Sequence, residues 1–235
     1  TSSAASDVYK RQTGYDAKKS AEMIFSQVLE HLKLKGNDVQ GIVSTGYGRN
    51  SVSFADKAIT EITCHAAGAF FINPEIRSVI DIGGQDSKVI LLNDKGRVLD
   101  FAMNDKCAAG TGRFLEVMAR ALEIELEHFG AMSLKSKTPS QISSLCTVFA
   151  ESEVISLIAR GEKRENIVAG IHDAIGARVA SMAKRVKIVS PVMMTGGVAK
   201  NTGLVKALEK RLEQKIMIAE SAQVVGAIGA ALLAQ

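Results

Sequence analysis

Twice along this chain of 235 residues a short apolar, β-branched run ends in a glycine pair. The first run, residues 77–82, meets Gly83-Gly84 and is followed by a second apolar run at 87–92. The second, residues 191–194, meets Thr195-Gly196-Gly197 and passes into a helical pattern. Hairpins mixed with strand–turn–helix units predict an α/β fold, because such units must be layered on a common sheet. Glycines at a strand end let backbone N–H groups approach an anion, and a helix start favours negative charge. Asp81 and Asp86, which flank the first pair, are the residue type that holds Mg²⁺ through water. A Gly-Gly hairpin beside acids is also an ordinary turn, and the second pair is also an ordinary strand-to-helix junction. Both readings stand on spacing alone, and the repetition of the device is what brings in a nucleotide.

The remaining pattern fits the same class. Residues 16–34 carry apolar positions at helical spacing and stop at Gly36-Asn37; 41–44 is a short strand, followed by the turn Thr45-Gly46-Tyr47-Gly48. Residues 59–71 read as a buried helix, 98–103 as a third strand of the hairpin system, and the chain turns helical from Ala109 through Leu122. A polar connection spans 133–144. Helices are expected over 148–159 and 165–185, a helix ending near Arg211, a strand at 215–218 and a closely packed Gly/Ala-rich helix at 222–234.

Composition narrows the function. Hydrophobic residues at 46% and charged residues at 23% are globular values. With eight Phe, three Tyr and no Trp, the chain lacks the rings of a base-stacking surface, so no nucleic-acid partner is expected. The net charge of +4 is spread on helix faces, for example Lys184, Arg185, Lys187, Lys206, Lys210 and Arg211, and reads as solvated surface. No apolar run reaches the roughly 18 residues of a membrane span, and residues 1–12 have no apolar signal core. The expectation is a cytoplasmic protein without a membrane partner.

Three cysteines in such a chain do not make a disulfide scaffold. Cys107 and Cys146 each fall just before a helical pattern, where a thiolate gains from the helix dipole and free N–H groups. Two thiolates are half of a four-cysteine zinc or iron–sulfur site, which a symmetric dimer would complete; two buried structural thiols are the alternative. Cys64 lies mid-helix among Ile62, Ala66, Ala67 and Ala69 and reads as core, with His65 beside it as a helix residue.

Taken together, Ser44-Thr45-Gly46-Tyr47-Gly48-Arg49, Cys64-His65-Ala66, and residues 79–88, 104–115, 146–156 and 194–201 resemble the activator component of 2-hydroxyacyl-CoA dehydratases. The likeness is strongest to the 2-hydroxyglutaryl-CoA type, within the benzoyl-CoA reductase-type ATPase family, and covers about residues 13–235. The resemblance implies the actin/Hsp70/sugar-kinase ATPase fold, two related lobes with the nucleotide between them. It divides the chain into a leader at 1–12, the remainder of a first lobe at 13–78, and a second lobe at 79–235. It implies a homodimer that shares one [4Fe–4S] cluster, with Cys107 and Cys146 of each copy as ligands. It implies ATP/ADP and Mg²⁺ at Asp81, Gly83, Gly84 and Gln85 and at Thr195, Gly196, Gly197, Ala199, Asn201 and Gln223, with Gln85 or Asp86 orienting the attacking water. Partners follow from the family: a reduced ferredoxin or flavodoxin as donor and a dehydratase as acceptor of the electron, delivered at the expense of ATP hydrolysis. Within residues 1–40 nothing matches the family's first phosphate motif, Asp-x-Gly-Ser-Thr. The expectation is a chain lacking the first strands of lobe one, with residues 1–12 non-native and ATP binding weakened. A small-molecule kinase of the same superfamily and a zinc-bridged dimerisation module are the rival functions.

Overall fold

The computed structural model describes residues 14–143 and 146–235; the leader expected at 1–12 and the end of the polar connection at 144 lie outside the described residues. Two compact units form, one running up to Gly68 together with Gly226–Gln235, the other Ala69–Val225.

In the first unit, helix α1 (Ala17–Leu32) starts where Asp16 accepts a 2.9 Å bond from the Lys19 N–H, and ends at Lys33 in the left-handed region. The short strands β1 (Val43–Ser44) and β2 (Lys57–Ala58) pair in parallel, and Phe25 stacks on Phe54 with ring centroids 5.1 Å apart. Helix α2 (Glu61–Ile72) carries Cys64, which has no exposed surface. Gly229 lets the C-terminal helix approach the Cys64 carbonyl so closely that any side chain there would collide with it. The Gly/Ala-rich composition of that segment follows from this approach. Burial pushes the Cys64 thiol pKa up, which makes it a poor thiolate donor.

The second unit is built on one five-stranded sheet in the order β5-β4-β3-β6-β7. Strands β3 (Ser78–Ile82), β4 (Ser87–Leu92) and β5 (Val98–Asn104) form an antiparallel meander. A long crossover then leads to β6, through helices α3 (Gly112–Ala121), α4 (Leu126–Ser133), α5 (Thr147–Ala159) and α6 (Arg164–Val186). Strand β6 (Val192–Thr195) joins β3 in parallel, and α7 (Thr202–Leu212) returns the chain to β7 (Ile216–Ile218). Strand β3 is buried along its whole length, as a strand covered on both faces must be, and its Val79, Ile80 and Ile82 are fully inaccessible. Each such side chain stabilises the fold by about 1.5–3 kcal/mol relative to exposure. The C-terminal helix α8 (Val225–Leu232) completes the chain. No helix among the described residues is long and apolar enough to cross a membrane.

The expected strands and long helices are present with ends shifted by a few residues. The helical pattern that starts near Ala109 breaks at Glu123, whose φ of 54° is left-handed, and a separate short helix, α4, follows. Beyond Gly196-Gly197 the chain makes a 3₁₀ turn, Gly197–Lys200, before α7 begins.

One buried titratable group couples this fold to pH. His172 on α6 is 1% exposed, meets the Phe129 ring edge-on at 5.5 Å, and its Nε2 lies 3.1 Å from the Asn201 side-chain amide. Burial pushes its pKa down to about 3, so the ring is neutral in the fold and Nε2 accepts from the amide. In the unfolded chain it protonates near pH 6.5. Between these values the unfolded state holds the extra proton, so stability present above pH 6.5 is lost as pH falls toward 3, at up to about 1.4 kcal/mol per unit. Urea unfolding at pH 7 and pH 5 checks this: His172→Gln should lose about 2 kcal/mol less between the two pH values than the unsubstituted chain.

Candidate functional site

Strand register alone sets the centre of the site. Asp81 is paired across β3/β4 with Lys88 and across β3/β6 with Thr195, so the three side chains stand on one face of the sheet. The Thr195 hydroxyl donates to Asp81 Oδ1 at 2.8 Å, and Lys88 Nζ reaches Asp81 Oδ2 at 3.1 Å. The same ammonium meets Asp86 Oδ1 at 2.6 Å. Lys88 is 1% exposed and both carboxylates are buried. A lone ammonium buried this deeply would deprotonate, and two buried carboxylates facing each other would share a proton; each charge here is tolerable only with its partners. The ammonium of Lys88 thus serves two carboxylates at once. Carboxylate oxygens are the donor type that suits Mg²⁺.

Both glycine turns emerge from this cluster. The Gly83 N–H donates to the Asp86 carbonyl at 3.0 Å, closing the hairpin and leaving Gln85 exposed at its tip. Gly196 has a φ of 86°, and a Cβ there would strike the Ile82 carbonyl oxygen and lie 2.9 Å from Asp81 Oδ1. Only glycine meets both conditions. The Gly196 N–H donates to the Ala222 carbonyl at 2.9 Å, and exposed Gln223 stands beside exposed Gly197. The structure thus brings Asp81, Gly83, Gly84, Gln85, Asp86, Thr195, Gly196 and Gly197 to the carboxyl ends of the neighbouring parallel strands β3 and β6, where open α/β sheets bind ligands. Ala199 is buried in the 3₁₀ turn. Asn201 is spent locally: its Oδ1 caps α7 through the Leu204 N–H at 3.0 Å, and its amide faces His172.

The cysteines differ from one another. Cys146 is exposed and occupies the N-cap position of α5. Cys107 is half-buried in the loop between β5 and α3, and the helix expected directly after it starts later, at Gly112. The delay has a cause: Asn104 donates from Nδ2 to the carbonyls of Cys107 and Ala109 at 2.9 and 2.8 Å, and Gly110 turns through a φ of 87° before Thr111 takes the N-cap position. The first turn of α3 then docks on the glycine hairpin, with the Gly112 and Arg113 N–H groups donating to the carbonyls of Gly83 and Gly84 at 2.8 and 2.9 Å. No three His, Cys, Asp or Glu side chains among the described residues converge as a metal site. Soft, free thiols on loop ends, two per chain, fit half of a four-thiolate group.

Residues 1–234 match the BadF/BadG/BcrA/BcrD ATPase family. The chain belongs to that family. Relatives of this ATPase include the 2-hydroxyisocaproyl-CoA dehydratase activator of Clostridioides difficile, 51% identical over 213 residues, or 89% of this chain and 80% of the relative. The (R)-2-hydroxyglutaryl-CoA dehydratase activating ATPase of Acidaminococcus fermentans is 51% identical over 210 residues, 89% and 80% of the two chains. The solved structure of the C. difficile activator with bound ADPNP has a TM-score of 0.85 at 48% identity, covering 95% of this chain and 81% of that one. Component A of the A. fermentans dehydratase has a TM-score of 0.89 at 49% identity, covering 94% and 85%. The ATPase therefore has the actin/Hsp70-like fold.

Sequence pattern alone singled out the acids and glycines of this ATPase but not Lys88 or Asn104, which organise them. The available signal for Lys88 was a cation within the otherwise apolar run 87–92. Removing it takes the shared cation away from two buried carboxylates, a change that costs about 3–5 kcal/mol. Urea unfolding should show a loss of that size in Lys88→Met and recovery of at least half of it in Lys88→Met/Asp86→Leu.

Proposed function

We propose that this chain is the ATP-driven, one-electron activator of a 2-hydroxyacyl-CoA dehydratase. It works as a cytoplasmic homodimer, and Cys107 and Cys146 of each copy hold one shared [4Fe–4S] cluster. The observation that carries the reading is the pair of hydrogen bonds from Gly112 and Arg113 to Gly83 and Gly84. They make the phosphate hairpin and the root of the Cys107 loop one mechanical piece. The named relatives, activators of dehydratases at 51% identity, supply the substrate class of the partner.

In this reading the backbone N–H groups of Gly83, Gly84, Gly196 and Gly197 approach the nucleotide phosphates, and Gln223 lies at the nucleoside side. Asp81 and Asp86 hold Mg²⁺ through water, and Gln85 or Asp86 orients the water that attacks the γ-phosphate. Phosphoryl transfer to water needs positioning and charge stabilisation rather than a protein nucleophile. A shift of the hairpin between ATP and ADP moves the first turn of α3, and with it the loop pinned by Asn104 that presents Cys107. The cluster, when bound, supplies one-electron chemistry, taken from a reduced ferredoxin or flavodoxin and passed to the dehydratase.

Support for the dimer comes from α5. Next to the exposed Cys146, Val148 and Phe149 are 68% and 67% exposed, and Ile155 and Ile158 continue the apolar surface along the helix. Apolar area of this kind beside a half-set of ligands suits a two-fold contact with a second copy. Cys64, buried and with its thiol pKa raised, is a core residue.

Anaerobic purification followed by absorption spectroscopy, iron and zinc analysis and light scattering tests the proposal. We expect a brown dimer with four iron atoms per two chains, colour and iron lost in Cys107→Ser and in Cys146→Ser, and both kept in Cys64→Ser. A colourless dimer holding zinc, or a monomer holding a full cluster, contradicts it.

A further inference from the structure

The two candidates for orienting the water, Gln85 and Asp86, are adjacent in sequence but differ sharply in surroundings. Asp86 is 5% exposed and turned inward, with Oδ1 held by the Lys88 ammonium at 2.6 Å and packed beneath Gly83. Lys88 is anchored in turn by Asp81, whose other oxygen is held by Thr195. The Asp86 carboxylate is therefore fixed through a chain of three hydrogen bonds to a second strand, and swinging it outward would strip a buried ammonium of its shortest partner. Such a stripped pair costs several kcal/mol. Gln85 is exposed at the hairpin tip.

We propose that Lys88 is a positioning residue of the phosphate hairpin: by holding the Asp86 carboxylate inward against Asp81, it removes Asp86 from water activation and leaves Gln85 as the group that orients the attacking water. This rests on the nucleotide reading given above. In the step itself the water oxygen bonds to the γ-phosphorus, the bond from that phosphorus to the β,γ-bridging oxygen breaks, and the water's proton leaves with the phosphate product or to solvent. Gln85 takes no proton; its side-chain carbonyl accepts a hydrogen bond from the water and so aims it. The charged groups that face one another in the cluster are Asp81 from β3, Asp86 from the turn and Lys88 from β4, with the neutral Thr195 hydroxyl from β6. Arg113, at the docked helix start, is exposed and paired with Glu116.

The test is steady-state MgATP hydrolysis with the full chain, kcat and KM read separately, alongside calorimetric MgADP binding. Gln85→Ala should lower kcat about 100-fold, the scale of lost assistance to a reacting water, while the Kd for MgADP stays within about threefold. Asp86→Asn, whose amide oxygen still accepts from Lys88, should raise the KM for MgATP through a weaker hold on Mg²⁺ and lower kcat by no more than about tenfold. Lys88→Met should release the Asp86 carboxylate, so that adding Gln85→Ala costs at least about tenfold less in kcat there than in the unsubstituted chain. A 100-fold loss of kcat in Asp86→Asn with near-normal Gln85→Ala overturns the proposal, as does a Gln85→Ala penalty that is the same with and without Lys88→Met. If Lys88→Met does not fold, the contrast between Gln85→Ala and Asp86→Asn decides alone. An unsubstituted chain that binds no MgADP overturns the nucleotide reading itself, a result distinct from either kinetic outcome.

Discussion

The ammonium of Lys88 occupies the point where the carboxylates of Asp81 and Asp86 would otherwise repel each other, out of contact with water. Burial makes this arrangement all-or-none: with all partners present each charge is compensated, and with one missing the remainder is costly. Asp81 then becomes a fixed acceptor for Thr195, 114 residues away in the chain, and the β3 and β6 turns are tied together at their roots. Gly196 can only be glycine because the Ile82 carbonyl and Asp81 come so close beneath it. The fixed placement of the two turns follows from a buried ion cluster.

The second consequence is a direct route from that backbone to the cysteine loop. Gly83 and Gly84 turn their carbonyls toward the start of α3, and Asn104 gathers the carbonyls of Cys107 and Ala109. Arg178, from α6, reaches Asn104 Oδ1 at 3.4 Å. The loop that carries Cys107 is thus hydrogen-bonded at its far end to the glycine hairpin, while Cys146 sits at the head of α5 in an exposed apolar surface. A nucleotide that shifts the hairpin has a physical means of shifting one thiol relative to the other.

Much of this was legible in the sequence, and the reasons are specific. Strands β3, β4 and β6 announced themselves by apolar runs closed with Gly-Gly or a strand-end turn, and Cys64 declared its burial by its small apolar helix neighbours. What escaped was set by tertiary contacts. The delayed start of α3 depends on Asn104 reaching forward to two carbonyls, which no helical periodicity encodes. Helix α4 is only eight residues long and follows a left-handed Glu123, beyond the helical pattern that ends at Leu122, so periodicity gave no sign of it. Lys88 looked like one more strand residue until register placed it opposite Asp81. Asn201 sits in a motif that suggests a ligand contact, yet its side chain is committed to the α7 cap and to His172.

Amide hydrogen exchange with and without saturating MgADP tests the central claim most directly, because it reads both turns and the cysteine loop at once. The account predicts slowed exchange over residues 83–86 and 196–201, together with a change over 104–113. Protection confined to other segments, or at the two turns with no change over 104–113, would contradict it.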